Sequence, residues 1–145
     1  MKLTALKSSV LACSLALFAF APGSRAIAQN ATLHLIANVP FDFRSGSEMM
    51  PAGRYDIQQL SNKVLIVRGT NQPRSQMLLA FNTETLKPSD HCKLLFHRYG
   101  NRYFLYQIWS SGNTTGFELP KSHAEKETLR AENNPAPSIS ELALK

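Results

Sequence analysis

The chain has 145 residues, of which 43% are hydrophobic and 18% charged, and it carries a formal net charge of +6. This length suits one compact domain and leaves too little chain for a second one of ordinary size once a leader segment is removed. A positive charge of this size is commonly a solubility feature, and by itself it identifies no binding partner.

The first 28 residues have the features of a secretory signal peptide. Lys2 and Lys7 precede the apolar stretch from Val10 to Ala21, and the small residues of Ala26-Ile27-Ala28 follow it. The apolar stretch is shorter than the roughly 20 residues that a membrane-spanning helix needs. We therefore expect residues 1–28 to be cleaved after Ala28. The mature protein should be exported to the periplasm or the extracellular space, and should not span the membrane.

Removal of residues 1–28 takes away three positive charges and Cys13. Cys92 then has no partner within the chain, so an internal disulfide is excluded, whereas pairing between chains stays open. Arg and Tyr side chains cluster from Arg98 to Tyr103, a mixture also found in proteins that bind single-stranded nucleic acid. Export and the small remaining charge argue against that interpretation, and we predict no nucleic-acid partner.

Residues 29–121 show a series of short β-rich runs separated by turn residues. The run from Leu33 to Phe43 comes first, with Pro40 as a break, and the residues from Arg54 to Leu60 alternate between apolar and polar. Lys63 to Gly69 and Ser75 to Asn82 are more continuously apolar. About seven strands with no helical period predict a mainly β fold, either a small antiparallel β-sandwich or a partly open barrel.

The chain changes character after residue 121. Ser122-His123-Ala124-Glu125 fits a capping box, and good helix formers follow it. We predict one C-terminal helix over residues 122–132. Residues 133–145 begin with helix breakers and carry little apolar surface, which predicts a flexible tail.

The segment KLLFHRYGNRYFLYQIW, from Lys93 to Trp109, holds six of the eleven aromatic residues that follow residue 28. Gly100-Asn101 predicts a two-residue hairpin loop, because this combination favours the turns that suit twisted strands. The pairing would set Tyr99 opposite Arg102, Leu95 opposite Tyr106 and Cys92 opposite Trp109. One face, which includes Phe96 and Trp109, should then form the main wall of the core.

The second face of this hairpin is the candidate interaction surface. It is too apolar to be simply solvated, so we expect it to lie against the helix, a partner or a ligand. It is a binding surface only if the rest of the protein leaves it uncovered. The residues proposed for it are Leu95, His97, Tyr99, Arg102, Phe104 and Tyr106.

No motif for catalysis, cofactor binding or metal binding is present in the sequence. His91 and His97 lie about 20 Å apart along one strand, which is too far for a shared metal ion. H-E-x-x-H, Cys-x-x-Cys, a nucleophile elbow and a glycine-rich phosphate loop are all missing. We therefore predict no catalytic residue, no cofactor and no metal ligand.

Three segments, VPFDFRSGSEMMPAGRYDIQQL, KLLFHRYGNRYFLYQIW and GFELPKSHAEKE, together resemble a family of small exported proteins of environmental bacteria, acidobacteria in particular. In that family a VPF-F … LPAG-Y-I strand pair is followed by a FHRYG-RYFL-QIW hairpin and an ELPKS-AE helix start. The similarity covers most of residues 39–127, with Met50 where the family pattern has leucine. The resemblance implies an exported β-domain and no particular activity, cofactor or ligand.

Three classes of function stay open. The leading hypothesis is an exported, non-enzymatic envelope protein, a structural or protein-interaction β module that forms a homodimer or binds a protein partner. The second is a carrier that holds a small apolar molecule in the interior of the sheet, as small barrels can. The third is a hydrolase-like enzyme without a recognisable motif.

Overall fold

A computed structural model describes residues 32–133 and 135–144, so the predicted signal peptide lies outside the described residues. The described chain forms eleven strands and one helix. In chain order they are β1 (His34–Val39), β2 (Phe43–Ser45), β3 (Glu48–Met50), β4 (Gly53–Ser61), β5 (Val64–Gly69), β6 (Ser75–Leu79), β7 (Phe81–Glu84), β8 (Lys93–Tyr99), β9 (Arg102–Trp109), β10 (Thr115–Glu118), α1 (His123–Ala131) and β11 (Ser138–Ala143).

The strands form two sheets. The first has the order β1-β4-β5-β6 and is antiparallel throughout. The second has the order β11-β8-β9-β10-β7, and β2 adds to it through one parallel pair with β9 and carries β3 on its other side. The predicted mainly β fold with one helix near the C-terminus is confirmed. Over the described ranges the sheets form no closed barrel, which agrees with a small sandwich.

The predicted count of about seven strands is too low, because runs that look continuous in the sequence are divided in the structure. Pro40 follows the end of β1, and the chain resumes as β2 at Phe43. The run from Ser75 to Asn82 breaks at Ala80, whose buried N–H donates to the carbonyl of Lys63 at 2.9 Å. At that point the chain leaves the first sheet as β6 and enters the second as β7.

The core lies between the two sheets, and aromatic contacts tie it together. The ring of Phe43 lies 5.2 Å from that of Tyr55 and 5.5 Å from that of Phe96, both edge to face. The Tyr55 hydroxyl donates to the Pro51 carbonyl and accepts from Gln72, so this buried polar group is satisfied. Other buried members include Ile57, Leu65, Val67, Leu94, Leu105 and Ile108.

The β8–β9 hairpin turns at Gly100 and Asn101 as predicted, with Gly100 at φ 56°. Tyr99 pairs with Arg102, but beyond Phe96 the predicted pairing is wrong: Leu95 pairs with Gln107 rather than Tyr106. Lys93, not Cys92, pairs with Trp109. The reason is a β-bulge, in which an extra residue on one strand offsets every later pair.

The bulge also exchanges residues between the two faces of the hairpin. Ile108 lies two residues after Tyr106, so the predicted pairing places it on the second face, but it is fully buried in the core beside its partner Leu94. Trp109 leaves the predicted core wall and packs on Gly116, where an added Cβ would lie 2.6 Å from the Trp109 ring. This close contact requires glycine at residue 116.

The predicted helix is confirmed to within one residue at each end, with Ser122 as its N-cap. The predicted flexible tail is wrong for residues 138–143, which form β11 and pair with β8 from Ser138–Arg98 to Ala143–Lys93. The edge of β8 supplies backbone hydrogen bonds that the sequence of the tail does not reveal. Leu142 and Leu144 add packing against the core.

Replacing Phe96 by alanine should lower the free energy of unfolding by about 3–5 kcal/mol, because it leaves a cavity where both sheets meet. Urea unfolding of Phe96→Ala against the parent protein measures the loss. Phe81→Ala is the matched control, since Phe81 is 46% exposed. Equal losses in the two variants would contradict the position of the core.

Glu141 anchors β11 through contacts of 3.2 Å to both Lys93 Nζ and His91 Nε2. Burial opposes its ionisation, but the hydrogen bonds from Lys93 and His91 together lower the pKa of Glu141 below its ordinary value of 4.5. A lowered carboxyl pKa stabilises the folded state above the unfolded-state value, and this contribution is lost as the pH falls through the folded-state pKa.

Glu141→Gln should therefore be less stable than the parent at pH 6, and the difference should shrink as the pH falls toward 3. The difference should stay below about 1 kcal/mol, since the group is partly exposed and screened by solvent. Urea unfolding at both pH values measures it, with the exposed Glu84→Gln as control. A loss of the same size at pH 3 would show that the charge of Glu141 is not responsible.

Candidate functional site

The helix α1 covers most of the candidate interaction surface. His97, Tyr99 and Phe104 lie on the side of the second sheet opposite the core and are only 6%, 3% and 2% exposed. Of the three occupants expected for this face, the helix is the one that covers these three residues, so they are not exposed to a partner. The contact that holds the helix there is polar.

Glu125, in the first turn of α1, is the centre of this contact. Its Oε1 atom lies 2.7 Å from His97 Nδ1 and 3.0 Å from the hydroxyl of Tyr99. The Tyr99 hydroxyl donates to this oxygen, and His97 shares the same oxygen through its Nδ1 atom. Glu125 is 3% exposed. Its negative charge near the helix N-terminus is also favoured by the helix dipole.

In the sequence, Glu125 is recognisable only as part of a capping box. Its backbone N–H does donate to Ser122 Oγ at 3.2 Å, as that motif requires. The side chain goes to the sheet instead of to the cap. Two features of the sequence bear on this contact: Glu125 is the first acidic residue of the helix, and His97 and Tyr99 lie on the same face of β8. Only the fold shows that Glu125 contacts both of them.

Two tyrosines extend the network. Burial, the hydrogen bond to Glu125 and the charges of Glu125 and Glu132 raise the pKa of Tyr99 above its ordinary value of 10.0. Tyr106 stacks on the His97 ring at 3.8 Å and donates to Glu118 at 3.3 Å. Burial, followed by the charge of Glu118, raises its pKa as well. Both phenols therefore stay protonated at neutral pH and act as donors.

Two further predicted surface residues, Leu95 and Arg102, line different clefts. Leu95 is half-buried and lines a small cleft of about 230 Å³ with Gln107 and Trp109. Arg102 is exposed near the hairpin turn, and its Nη1 donates to Thr128 Oγ1 at 3.2 Å. Leu95 and Arg102 thus lie in two different clefts, and the six residues do not form one continuous surface.

Arg102 opens into a larger cleft, about 510 Å³ in volume, between α1 and the β2–β3 hairpin. We call it the arginine cleft, because Arg44 and Arg102 both line it. Helical residues form one wall and Met49 stands on the opposite side. The lining residues are Asp42, Phe43, Arg44, Met49, Asn101, Arg102, Tyr103, Phe104, Ala124, Glu127, Thr128 and Ala131.

His97 and Glu125 form the most buried pair of acid and base in the described chain, yet neither lines the arginine cleft or the smaller cleft at Leu95. Within residues 32–133 and 135–144 no three His, Cys, Asp or Glu side chains are placed to hold a metal ion. The helix found in these ranges is not long and apolar enough to cross a membrane. The contact between His97 on β8 and Glu125 on α1 joins the two elements, so its effect is to hold the helix against the second sheet.

Comparisons of this chain with protein-family models, with curated proteins and with solved structures find no match.

Glu125→Ala should destabilise the protein by about 3–5 kcal/mol, because it leaves His97 and Tyr99 buried without their shared acceptor. Glu125→Gln keeps an acceptor oxygen and should lose less. Glu127→Ala, on the exposed side of the same helix, is the matched control and should change stability by no more than about 0.5 kcal/mol. Urea unfolding measures all three, and a Glu125→Ala variant as stable as the control would exclude Glu125 as the anchor.

Proposed function

We propose that this protein is an exported, non-enzymatic protein of the cell envelope that works by associating with protein through the outer face of its first sheet. The observation that carries the proposal is a group of apolar side chains on that face. Leu60, Met77 and Leu79 are 53%, 60% and 53% exposed. Contiguous apolar side chains on a protein surface commonly mark interaction sites.

The register of the sheet makes this group continuous. Val64 pairs with Leu79 and Ile66 pairs with Met77, so four apolar side chains lie side by side on β5 and β6. Leu60 comes from the irregular end of β4, next to Ser61, which pairs with Val64. We call Leu60, Val64, Ile66, Met77 and Leu79 the β5–β6 apolar face.

The position of β6 adds a second reason. It is the last strand of the first sheet, so one side of its backbone has no strand partner in the described chain. Natural edge strands usually carry a charge, a proline or a bulge that prevents pairing with another chain. Ser75 to Leu79 carries no charge and no proline.

The simplest occupant of this edge is a second copy of the chain. Antiparallel pairing of β6 with its own copy has two-fold symmetry, the commonest symmetry of homo-oligomers. No charge within the strand opposes the pairing, and Met77 and Leu79 would be covered together with their copies. The outcome would be one sheet that continues through both protomers.

Two further features favour an interaction module over the other classes. The space between the sheets is filled by aromatic and aliphatic side chains, which leaves an apolar cargo no obvious place there. The buried histidine binds the helix and lines neither the arginine cleft nor the cleft at Leu95. For export, support comes from the apolar stretch from Val10 to Ala21 and the Ala26-Ile27-Ala28 site, and from the family resemblance.

Native mass spectrometry of protein recovered from the periplasm of an expressing cell tests this proposal. We expect a chain that begins at Gln29 and a dimer at micromolar concentration. Met77→Glu with Leu79→Glu should convert the dimer to monomer, because the charges would be buried unpaired and repel each other. Both side chains are more than half exposed, so the fold should persist.

Leu86→Glu is the matched control, since Leu86 is fully exposed in a loop outside the strands. It should leave the dimer unchanged. A monomer in the parent protein, or an unchanged dimer in the Met77 and Leu79 variant, would overturn self-association through this face. A chain that retains residues 1–28 in the cell would overturn export by cleavage.

A further inference from the structure

We propose that the arginine cleft binds a small organic oxyanion, a carboxylate or phosphate group attached to an apolar body. The site lies on the second sheet and is separate from the β5–β6 apolar face, so it does not depend on the function proposed above. Three properties of the cleft lead to this class of ligand: the placement of its arginines, the state of its carboxylates and its apolar wall.

The two arginines lie on the same side of the sheet. Arg44 pairs in parallel with Phe104, so their side chains share a face, and Arg102 lies two residues before Phe104 on β9. Diagonal neighbours on adjacent strands are about 7–8 Å apart at Cα, within reach of long side chains. Two guanidinium groups can therefore approach one anion from the same face.

Neither guanidinium is neutralised within the described residues. Arg44 Nη1 donates to the carbonyl of Ser47 at 3.3 Å, and Arg102 Nη1 donates to the hydroxyl of Thr128 at 3.2 Å. Neither forms an ion pair with any carboxylate in residues 32–133 or 135–144. Each guanidinium has five N–H donors, so most of them remain available.

The two carboxylates of the cleft are directed to other partners. Asp42 Oδ1 accepts from the backbone N–H of Ala52 at 2.7 Å. Glu127 lines the cleft from α1, and its carboxylate lies 3.4 Å from His123 while its side chain is 62% exposed. The cleft thus presents two positive groups with free donors, and a planar or tetrahedral oxyanion matches the forked geometry of arginine.

The remaining wall suits an apolar body. Met49 is 48% exposed and faces the cleft, and Phe104, Ala124 and Ala131 also line it. A volume of about 510 Å³ falls within the range of small-molecule sites. A straight or ring-shaped hydrocarbon could cover Met49 while its charged end contacts Arg44 and Arg102.

The test is a titration of the protein that lacks residues 1–28 with decanoate, decyl phosphate and uncharged decanol. Binding is followed by calorimetry and by the methyl NMR signals of Met49 and Met77. We expect both anions to bind and decanol to bind at least about tenfold more weakly, since charge-assisted hydrogen bonds are lost. The Met49 signal should shift, and the Met77 signal on the other sheet should stay in place. The tighter of the two anions identifies the headgroup.

Arg44→Gln with Arg102→Gln should weaken anion binding at least about tenfold. Arg54→Gln with Arg68→Gln removes the same charge from the first sheet and should leave binding unchanged. Arg44→Gln alone keeps the Arg102–Thr128 contact and serves if the double variant does not fold. Equal binding of decanol and decanoate, unchanged affinity in the arginine variant, or a shift at Met77 instead of Met49 would overturn the proposal. None of these results bears on dimer formation through β6.

Discussion

The packing of α1 on the second sheet depends on the contact of Glu125 with His97 and Tyr99. One oxygen of a buried carboxylate contacts both side chains and thereby fixes α1 on the second sheet. A buried charge is costly unless it is paired, so the helix has few alternative positions in which this group would be satisfied. The position of the helix determines one wall of the arginine cleft, and the chain that leaves the helix goes on to cover the edge of β8.

The two sheets therefore differ in how much of their surface the rest of the protein covers. The second sheet is covered on both faces, by the first sheet and by α1, and its clefts combine charged and polar groups with apolar side chains. Among residues 32–133 and 135–144, the first sheet is covered on one face only, and apolar side chains of β5 and β6 remain in contact with solvent. The surface proposed for protein association lies on the first sheet and the site proposed for a small anion lies on the second, so the two proposals concern separate parts of the molecule.

Local sequence signals predicted those parts of the fold that local interactions determine. The Gly100-Asn101 turn and the Ser122 cap need only a few neighbouring residues, and both were predicted correctly. The bulge near Tyr106 was missed because it depends on how Tyr106 meets His97 while Ile108 enters the core. The strand β11 was missed for a similar reason, since its partner is an edge that lies far away in the sequence.

The candidate site shows the same limit. Alternation along β8 and β9 placed His97, Tyr99 and Phe104 together on one face, which is correct, but it could not show that Glu125 would bring a helix over them. Arg44 was not singled out, because its neighbour Phe104 is distant in the chain and the parallel pair that joins them is a single contact. When the residues of a site come from segments that are far apart in the sequence, no single segment predicts the site.

The order of segments along the chain has a consequence for how the domain matures. β8 and β9 are complete some thirty residues before β11, the strand that pairs with the free edge of β8. During synthesis from the N-terminus, this aromatic-rich edge is exposed until residues 138–143 emerge. A delay at that stage would favour pairing of β8 with a neighbouring chain, so the pairing of β11 with β8 protects the folded protomer from aggregation.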